Sequence, residues 1–349
     1  MQRRTLALLA GFATIAAVMP LAPQAMAQTA SITGAGSSFV NPVYQRWGED
    51  AKAQGIQLNY QSVGSGAGVN QIKNRTVDFG ASDAPLTAEQ LAEAKLVQFP
   101  TVMGSVVPIV NLPGVEVDQL RLTGEVLADL YAGRITKWDD KRIADLNPGL
   151  KLPSIAVAPV YRADASGTSF VFTSYLAAVS PAWKSGVGAA TSVKWPAGAG
   201  ARGNEGVAGT VHNTRGGIGY VENAYATQNK LTTVQLRNHD GQFVKPTMES
   251  FAAAAASANW NVPGMAASII DQPGANSWPI VSPTFVLLPT NPENADRSRA
   301  VMRFFDWAYS KGGDAANKLE YIPLPAAVQN QARATWTQVM ADGKAVWNQ

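Results

Sequence analysis

Three stretches of small residues each lead directly into a helix-like pattern, and this repetition limits the fold more than any other feature. The stretches are GAGSSF (residues 34–39), GSGAG (64–68) and ASGT (165–168). After the third, apolar residues recur at helical spacing, whereas IQLNYQSV before the second and IAVAPVYR before the third are strand-like. Strands that alternate with helices are typical of layered α/β proteins. The sequence therefore predicts an α/β fold.

Two long apolar stretches in opposite halves of the chain, residues 101–111 and 277–288, are also strand-like. Because 349 residues exceed one average domain, we interpret them as paired crossover strands between two lobes. Lobe I is predicted to contain residues 28–106 and 282–349, and lobe II residues 107–281. Within them, 197–217 is predicted to be a glycine-rich loop and 330–349 a closing amphipathic helix.

The first 27 residues are predicted to be a cleavable signal peptide. Arg3 and Arg4 precede a 15-residue apolar stretch, too short to span a membrane, and residues 25–27 give an A-x-A cleavage pattern. Without this segment the chain is close to neutral, which argues against a nucleic-acid partner. The chain has no cysteine, so disulfides, thiolate sites and a lipid-modified N-terminal cysteine are excluded. We expect a freely diffusing protein of the periplasm.

The three small-residue stretches suit an anion. A helix N-terminus presents unpaired backbone N–H groups and the positive end of the helix dipole, and Gly and Ser before it allow close approach and add hydroxyl donors. One such stretch is usually only a capped helix. Arg162, just before the third, adds a permanent charge whose planar fork matches two oxygens of a tetrahedral anion. Asp164 is expected to pair with it, although such a pair on a surface loop is often merely solvated.

Asp83 follows a predicted strand, Val77 to Ala81, and so falls at the end of the sheet where α/β proteins bind ligands. An ionised carboxylate only accepts hydrogen bonds. It repels a fully ionised anion but accepts the proton of hydrogen phosphate, which predicts selection of phosphate over sulfate. The alternative is that Asp83 is a turn residue before Pro85.

These motifs together resemble a known family. GAGSSF, VDFGASDAPL and RADASGTSFVFTSYL, with KWDD (137–140) and LNPGLKLP (146–153) between the last two, resemble the periplasmic phosphate-binding proteins of the high-affinity bacterial phosphate transporter. The similarity covers essentially the whole chain after residue 27. It implies a two-lobed fold of the Venus-flytrap type, in which each lobe is a mixed sheet flanked by helices and two crossover strands form the hinge.

The resemblance also implies a site and partners. The implied phosphate-binding residues are Ser38, Phe39 (through its backbone N–H), Ser65, Asp83, Arg162, Ser166, Gly167 and Thr168, with Asp164 as the partner of Arg162. Relatives often carry Gly at position 165, whereas Ala165 has a side chain, and that side chain argues against a role that needs a positive φ there. The implied partners are inorganic phosphate and the membrane permease subunits of an ABC transporter. A monomer without cofactor or metal is expected.

Two alternatives remain open from the sequence. The first is a receptor for another tetrahedral oxyanion, arsenate or sulfate; the sequence cannot rank arsenate against phosphate. The second is a phosphoester hydrolase that uses the same anion cradle. It is disfavoured because His212 and His239 lie in loop-like contexts and no G-x-S-x-G motif is present.

Overall fold

The computed structural model describes residues 30–347. The predicted signal peptide, residues 1–27, lies outside the described residues. No helix within 30–347 combines the length and apolar composition needed to cross a membrane. The described strands are β1 (Ala30–Gly36), β2 (Ile56–Ser62), β3 (Phe79–Ser82), β4 (Leu96–Val110), β5 (Arg121–Leu122), β6 (Ala158–Arg162), β7 (Ala199–Ala201), β8 (Gly217–Glu222), β9 (Thr232–Thr233), β10 (Gln235–Arg237), β11 (Phe243–Val244), β12 (Ile269–Ile270), β13 (Ile280–Pro289), β14 (Ile322–Pro323), β15 (Met340–Ala341) and β16 (Lys344–Ala345).

Helices flank the sheet and follow most of its strands. They are α1 (Asn41–Ala51), α2 (Ser65–Lys73), α3 (Ala88–Ala94), α4 (Gly124–Tyr131), α5 (Lys141–Ala144), α6 (Gly167–Val179), α7 (Pro181–Gly186), α8 (Gly203–Asn213), α9 (Asn223–Gln228), α10 (Met248–Ala255), α11 (Ala295–Lys311), α12 (Gly313–Lys318) and α13 (Ala326–Thr335). The three predicted helices after the small-residue stretches are α1, α2 and α6. These positions confirm the predicted alternation of strands and helices, although α2 begins within the second stretch, at Ser65, rather than after it.

One mixed sheet runs through the molecule in the strand order β2-β1-β3-β13-β4-β8-β6-β7. At one end β1 is parallel to β2 and β3; at the other, β6 is parallel to β8 and β7. Between these groups, β13 is antiparallel to β3 and β4, and β4 is antiparallel to β8. The ends of β1, β3 and β6 are therefore the places where turns and helices can hold a ligand.

β4 is the central strand, and all 15 of its residues are buried. Its residues 96–105 pair with β13, and residues 106–110 pair with β8. The two long apolar strands predicted at 101–111 and 277–288 are thus confirmed, with β4 beginning five residues earlier than expected. β4 changes its partner between Ser105 and Val106. The lobe boundaries derived from the sequence stay a prediction.

Aromatic rings form the core beneath the turns. On the β1 side, Tyr60 stacks on Phe79, and its hydroxyl donates to the carbonyl of Ser37 at 2.7 Å. On the β6 side, the rings of Phe172 and Tyr220 stack with centroids 4.2 Å apart. The Tyr220 hydroxyl accepts the backbone N–H of Arg162 at 3.0 Å. On each side, the aromatic side chains therefore fix the backbone at or just before one predicted turn.

The prediction of a loop at 197–217 is wrong, because this stretch contains β7 and the 11-residue helix α8. Val207 and Val211 of α8 are buried against β8, where Gly219 leaves room for them. A Cβ at Gly219 would lie 2.6 Å from Val211 Cγ2 and 2.8 Å from Val207 Cγ1. This packing outweighs the helix penalty of each glycine, about 1 kcal/mol.

The predicted closing helix at 330–349 is also wrong over most of its length. Helix α13 ends at Thr335, and a short hairpin of β15 and β16 follows. Asp342 and Gly343 join its strands with φ of 50° and 72°. Positive φ at both central residues is typical of the two-residue hairpin turn that Asp-Gly favours. Residues 348–349 lie outside the described part of the chain.

Candidate anion-binding site

The predicted site residues lie after the ends of three strands and are buried together. Ser38 and Phe39 follow β1, Asp83 follows β3, and Arg162 is the last residue of β6. β3 begins two residues later than predicted and ends at Ser82, so Asp83 comes directly after it. The buried set, each member at most 3% exposed, comprises Ser38, Phe39, Ser65, Asp83, Arg162, Ser166 and Thr168. Gly167 is buried as well.

Asp83 is held by two hydroxyl donors that the sequence did not suggest. Ser37 Oγ donates to Asp83 Oδ2 and Thr284 Oγ1 donates to Asp83 Oδ1, both at 2.6 Å. Ser65 Oγ lies 3.5 Å from Oδ2. Burial raises the pKa of Asp83 to about 6, although these hydroxyls and the charge of Arg162 oppose the rise. The carboxyl group therefore changes its protonation close to neutral pH and can accept a ligand's proton at pH 7.

Arg162 is clamped by Asp164, as expected from their spacing. Its Nε donates to Asp164 Oδ1 at 2.8 Å and its Nη2 to Oδ2 at 2.5 Å. Desolvation raises the pKa of Asp164, but the hydrogen bonds and charge of Arg162 and the N–H of Gly203 outweigh it and leave that pKa lowered. The Arg162 side chain is 1% exposed. The pair fixes the direction of the guanidinium and brings a buried positive charge into the cluster.

The third turn forms the N-terminus of α6. Ser166 is its N-cap residue, and its Oγ accepts the backbone N–H of Ser169 at 3.1 Å. Gly167 and Thr168 begin the helix. A Cβ on Gly167 would lie 2.4 Å from Asp83 Oδ2 and 2.5 Å from Ser65 Oγ, so the absence of a side chain allows this turn to meet the other two. Ala165 is not among the residues with positive φ in 30–347.

The second turn meets the third through the backbone. Gly64 caps α2 with φ of 92°, and a Cβ there would lie 2.4 Å from Asp164 Oδ2. The N–H of Gly66 donates to the carbonyl of Ala165 at 2.9 Å. Ser65 lies between these glycines. Because α2 begins at Ser65, the glycine-rich stretch is already helical rather than a turn before the helix.

The first turn precedes α1. Tyr225 of α9 donates its hydroxyl proton to the Ser38 carbonyl at 2.6 Å. The backbone N–H of Phe39 donates to Ser37 Oγ at 3.0 Å. Ser37 thus contacts both Asp83 and the predicted ligand group of Phe39. Its place in GAGSSF could have suggested a role, but nothing in the sequence distinguished it from Ser38.

Asn204 in the first turn of α8 is the largest omission from the sequence-based site. It is fully buried and donates hydrogen bonds to Ser38 Oγ and Thr168 Oγ1, two predicted ligand groups. It was missed because its segment was predicted to be a loop. Thr284 was missed for another reason, since it lies on β13, 201 residues from Asp83.

The cluster suits a small oxyanion that carries a proton. One guanidinium, several hydroxyls and the N-terminus of α6 provide donors, while Asp83 provides an acceptor. His212 is exposed in α8, and His239 lies beside Asp271, so neither imidazole belongs to the cluster. Within residues 30–347, no group of three or more His, Cys, Asp or Glu side chains is arranged to hold a metal ion.

Comparisons with known proteins identify the family and the fold. Residues 22–311 match the PBP superfamily domain. The phosphate-binding protein PstS of Pasteurella multocida is 49% identical over 92% of this chain and 94% of that protein. Two solved structures share the two-domain fold. The phosphate-binding protein of Stenotrophomonas maltophilia matches with a TM-score of 0.69 and 22% identity over 87% of this chain and 93% of that one. An ABC-type phosphate transport receptor of Vibrio cholerae matches with a TM-score of 0.55 and 19% identity over 84% of this chain and 100% of that one.

The fold prediction from the sequence is therefore confirmed as a mixed α/β, two-lobed periplasmic binding protein fold. The coverage of both chains is nearly complete in the comparison with Pasteurella multocida. Similarity of this degree and extent shows common family membership. This chain belongs to the PBP superfamily and, within it, to the PstS family of phosphate-binding proteins.

Proposed function

We propose that this chain binds inorganic phosphate in the periplasm and delivers it to the membrane permease of an ABC transporter. The observation that carries the proposal is that Arg162, the N-terminus of α6 and Asp83 lie together and are buried. Donors from the first two suit the phosphate oxygens, and Asp83 suits the proton of hydrogen phosphate. Membership of the PstS family supports the same conclusion.

Each predicted residue has a role in this proposal. Arg162 neutralises the anion, held in place by Asp164. Asp83 accepts the phosphate proton and disfavours sulfate, which has none at neutral pH. Hydroxyl and backbone donors complete the shell, namely Ser38, Phe39, Ser65, Ser166, Gly167 and Thr168. The role is one of binding in this proposal: within residues 30–347 no imidazole belongs to the cluster, and the hydroxyls of Ser37 and Thr284 beside Asp83 hold its carboxylate in place.

The two predicted lobes, 28–106 with 282–349 and 107–281, close around the anion in this proposal. The contact between Gly66 and Ala165 joins the second turn to the third and so supports a closed arrangement. Small-angle scattering with and without phosphate tests this part. A radius of gyration that does not fall when phosphate is added would contradict closure.

Calorimetric titration of residues 28–349 with phosphate and then sulfate tests the proposed function. The protein is first unfolded and dialysed to remove bound ligand. For a ligand of five heavy atoms, a ceiling of about −1.5 kcal/mol per atom gives about −7.5 kcal/mol, a Kd of a few micromolar, and buried charge-assisted bonds can exceed it.

We therefore expect one-to-one phosphate binding with a low-micromolar or tighter Kd and no sulfate heat. Tight sulfate binding would overturn the role of Asp83, and a folded protein silent to both anions would refute the proposal. Arsenate, which carries protons as phosphate does, is titrated in parallel to rank the two.

A further inference from the structure

Asn204 links two turns that approach the site from opposite ends of the sheet. Its Nδ2 lies 2.9 Å from Ser38 Oγ and 3.2 Å from Thr168 Oγ1. Its backbone N–H also donates to Ser38 Oγ at 3.2 Å. The residue is 0% exposed. Although it lies in the first turn of α8, the side chain does not cap that helix, whose N-cap residue is Arg202.

The orientation of the Asn204 amide is fixed by a third contact. The backbone N–H of Glu222 donates to Asn204 Oδ1 at 2.8 Å. Oxygen must therefore face Glu222, and both N–H bonds of Nδ2 must face the two hydroxyls. The amide cannot exchange its oxygen and nitrogen without placing one donor against another.

Counting acceptors then determines where the hydroxyl protons go. A hydroxyl oxygen accepts two hydrogen bonds and donates one. Ser38 Oγ accepts both from Asn204, and Thr168 Oγ1 accepts one from Asn204 and one from Arg162 Nη1, at 3.3 Å. Within residues 30–347, neither hydroxyl donates to a protein acceptor. Both protons are therefore left for a group in the site.

We propose that Asn204 is a positioning residue that makes Ser38 and Thr168 obligatory hydrogen-bond donors to the bound anion. The inference rests on the proposed function, because it assigns a direction to two of the hydroxyls in the phosphate shell. A free serine or threonine hydroxyl rotates and can accept as readily as it donates. Asn204 lies in the same predicted lobe as Thr168 and constrains that hydroxyl before the anion arrives; Ser38 lies in the other predicted lobe and is constrained when the lobes close.

A double-mutant cycle on phosphate affinity tests the inference. The proteins are wild type, Asn204→Ala, the background Ser38→Ala/Thr168→Val, and the triple variant, each titrated calorimetrically. Asn204→Ala is expected to raise Kd roughly 10-fold in the wild type, the size of one lost hydrogen bond to a charged group. In the background without the two hydroxyls, the same substitution should raise Kd less than about 2-fold, because nothing remains to be oriented.

A purely structural role of Asn204 would raise Kd by the same factor in both backgrounds, and that result would overturn the inference. Asn213→Ala is the matched control. Asn213 is at the other end of α8, is exposed, and its Nδ2 contacts only the Gly209 carbonyl, so phosphate affinity should not change. Thermal unfolding of each ligand-free variant shows whether it is folded.

A second variant keeps the test valid if Asn204→Ala does not fold. Asn204→Asp has the same volume, but its carboxylate accepts the hydroxyl protons instead of directing them at the anion. It should weaken phosphate binding more than 10-fold. Wild-type affinity in this variant would refute the inference. Failure of the wild type itself to bind phosphate would instead refute the proposed function, so the two failures are distinguishable.

Discussion

Gly167→Ala separates closure of the site from folding. Gly167 is the first residue of α6, and its added Cβ would lie 2.4 Å from Asp83 Oδ2, 2.5 Å from Ser65 Oγ and 2.8 Å from Asp83 Cβ. Ordinary contacts of a Cβ begin at about 3.4 Å. The α6 turn and the Asp83 turn must therefore move apart by about 1 Å, because hydrogen bonds from Ser37 and Thr284 hold the Asp83 carboxylate in place.

The substitution should not harm the ligand-free protein in an open state. Alanine favours a helix over glycine by about 0.5–1 kcal/mol, so unfolding should be unchanged or occur at slightly higher temperature. The separation of the turns should cost at least one hydrogen bond to the anion. At about 1.5–3 kcal/mol for a bond to a charged group, Kd rises roughly 10- to 150-fold.

Calorimetry with phosphate and thermal unfolding without it measure the two effects. Gly209→Ala is the matched control, since Gly209 lies in α8, is exposed, and has nothing within 4 Å of an added Cβ. It should leave Kd unchanged. Wild-type affinity in Gly167→Ala would refute the argument that the three turns meet at this position when phosphate is bound.

Three further substitutions test single groups. Asp83→Asn should weaken phosphate binding about 10-fold or more and permit sulfate binding. Because the pKa of Asp83 is about 6, the sulfate affinity of the wild type should rise as the pH falls through 6, and that of the variant should not. Equal titrations of the two proteins would contradict the role of Asp83. Arg162→Lys should raise the phosphate Kd at least 10-fold, since one ammonium cannot hold Asp164 with two bonds and also reach the ligand. Competition against labelled phosphate measures this Kd, and an unchanged value would refute the role of the Arg162–Asp164 pair. Glu222 is fully buried, and its Oε1 has no hydrogen-bond partner within residues 30–347. Because burial raises the pKa of Glu222 well above 4.5, the folded state holds a proton that the unfolded state releases. Wild-type stability should therefore fall as the pH rises from about 4.5 through the raised pKa, and Glu222→Gln should flatten that fall in urea unfolding; parallel pH profiles would contradict it.

The sequence predicted those parts of the site that depend on local order. A strand, a small-residue stretch and a helix are adjacent in the chain, and the positions of Ser38, Ser65 and Ser166 follow from that order. Arg162 and Asp164 are two residues apart, so their pairing could also be expected. Each of these features depends on residues close together in the sequence.

What the sequence did not predict depends on tertiary packing. Helix α8 contains three glycines, and its helical form is supported by packing against β8 at Gly219 rather than by its local sequence. Asn204 could not be placed without that helix. The hydroxyl of Thr284 reaches Asp83 because β13 pairs with β3, and no local pattern gives the register between strands about 200 residues apart.

The position of β13 also dictates the order in which the chain can fold. Strand β3, within the first quarter of the sequence, pairs on one side with β1 and on the other with residues 285–287, which are synthesised late. Until β13 is available, β3 and the first part of β4 lack their shared neighbour, and Asp83 lacks Thr284. Such non-local pairing slows folding and leaves strand edges open to aggregation. A growing chain therefore cannot complete its anion site before about four-fifths of its residues have been added.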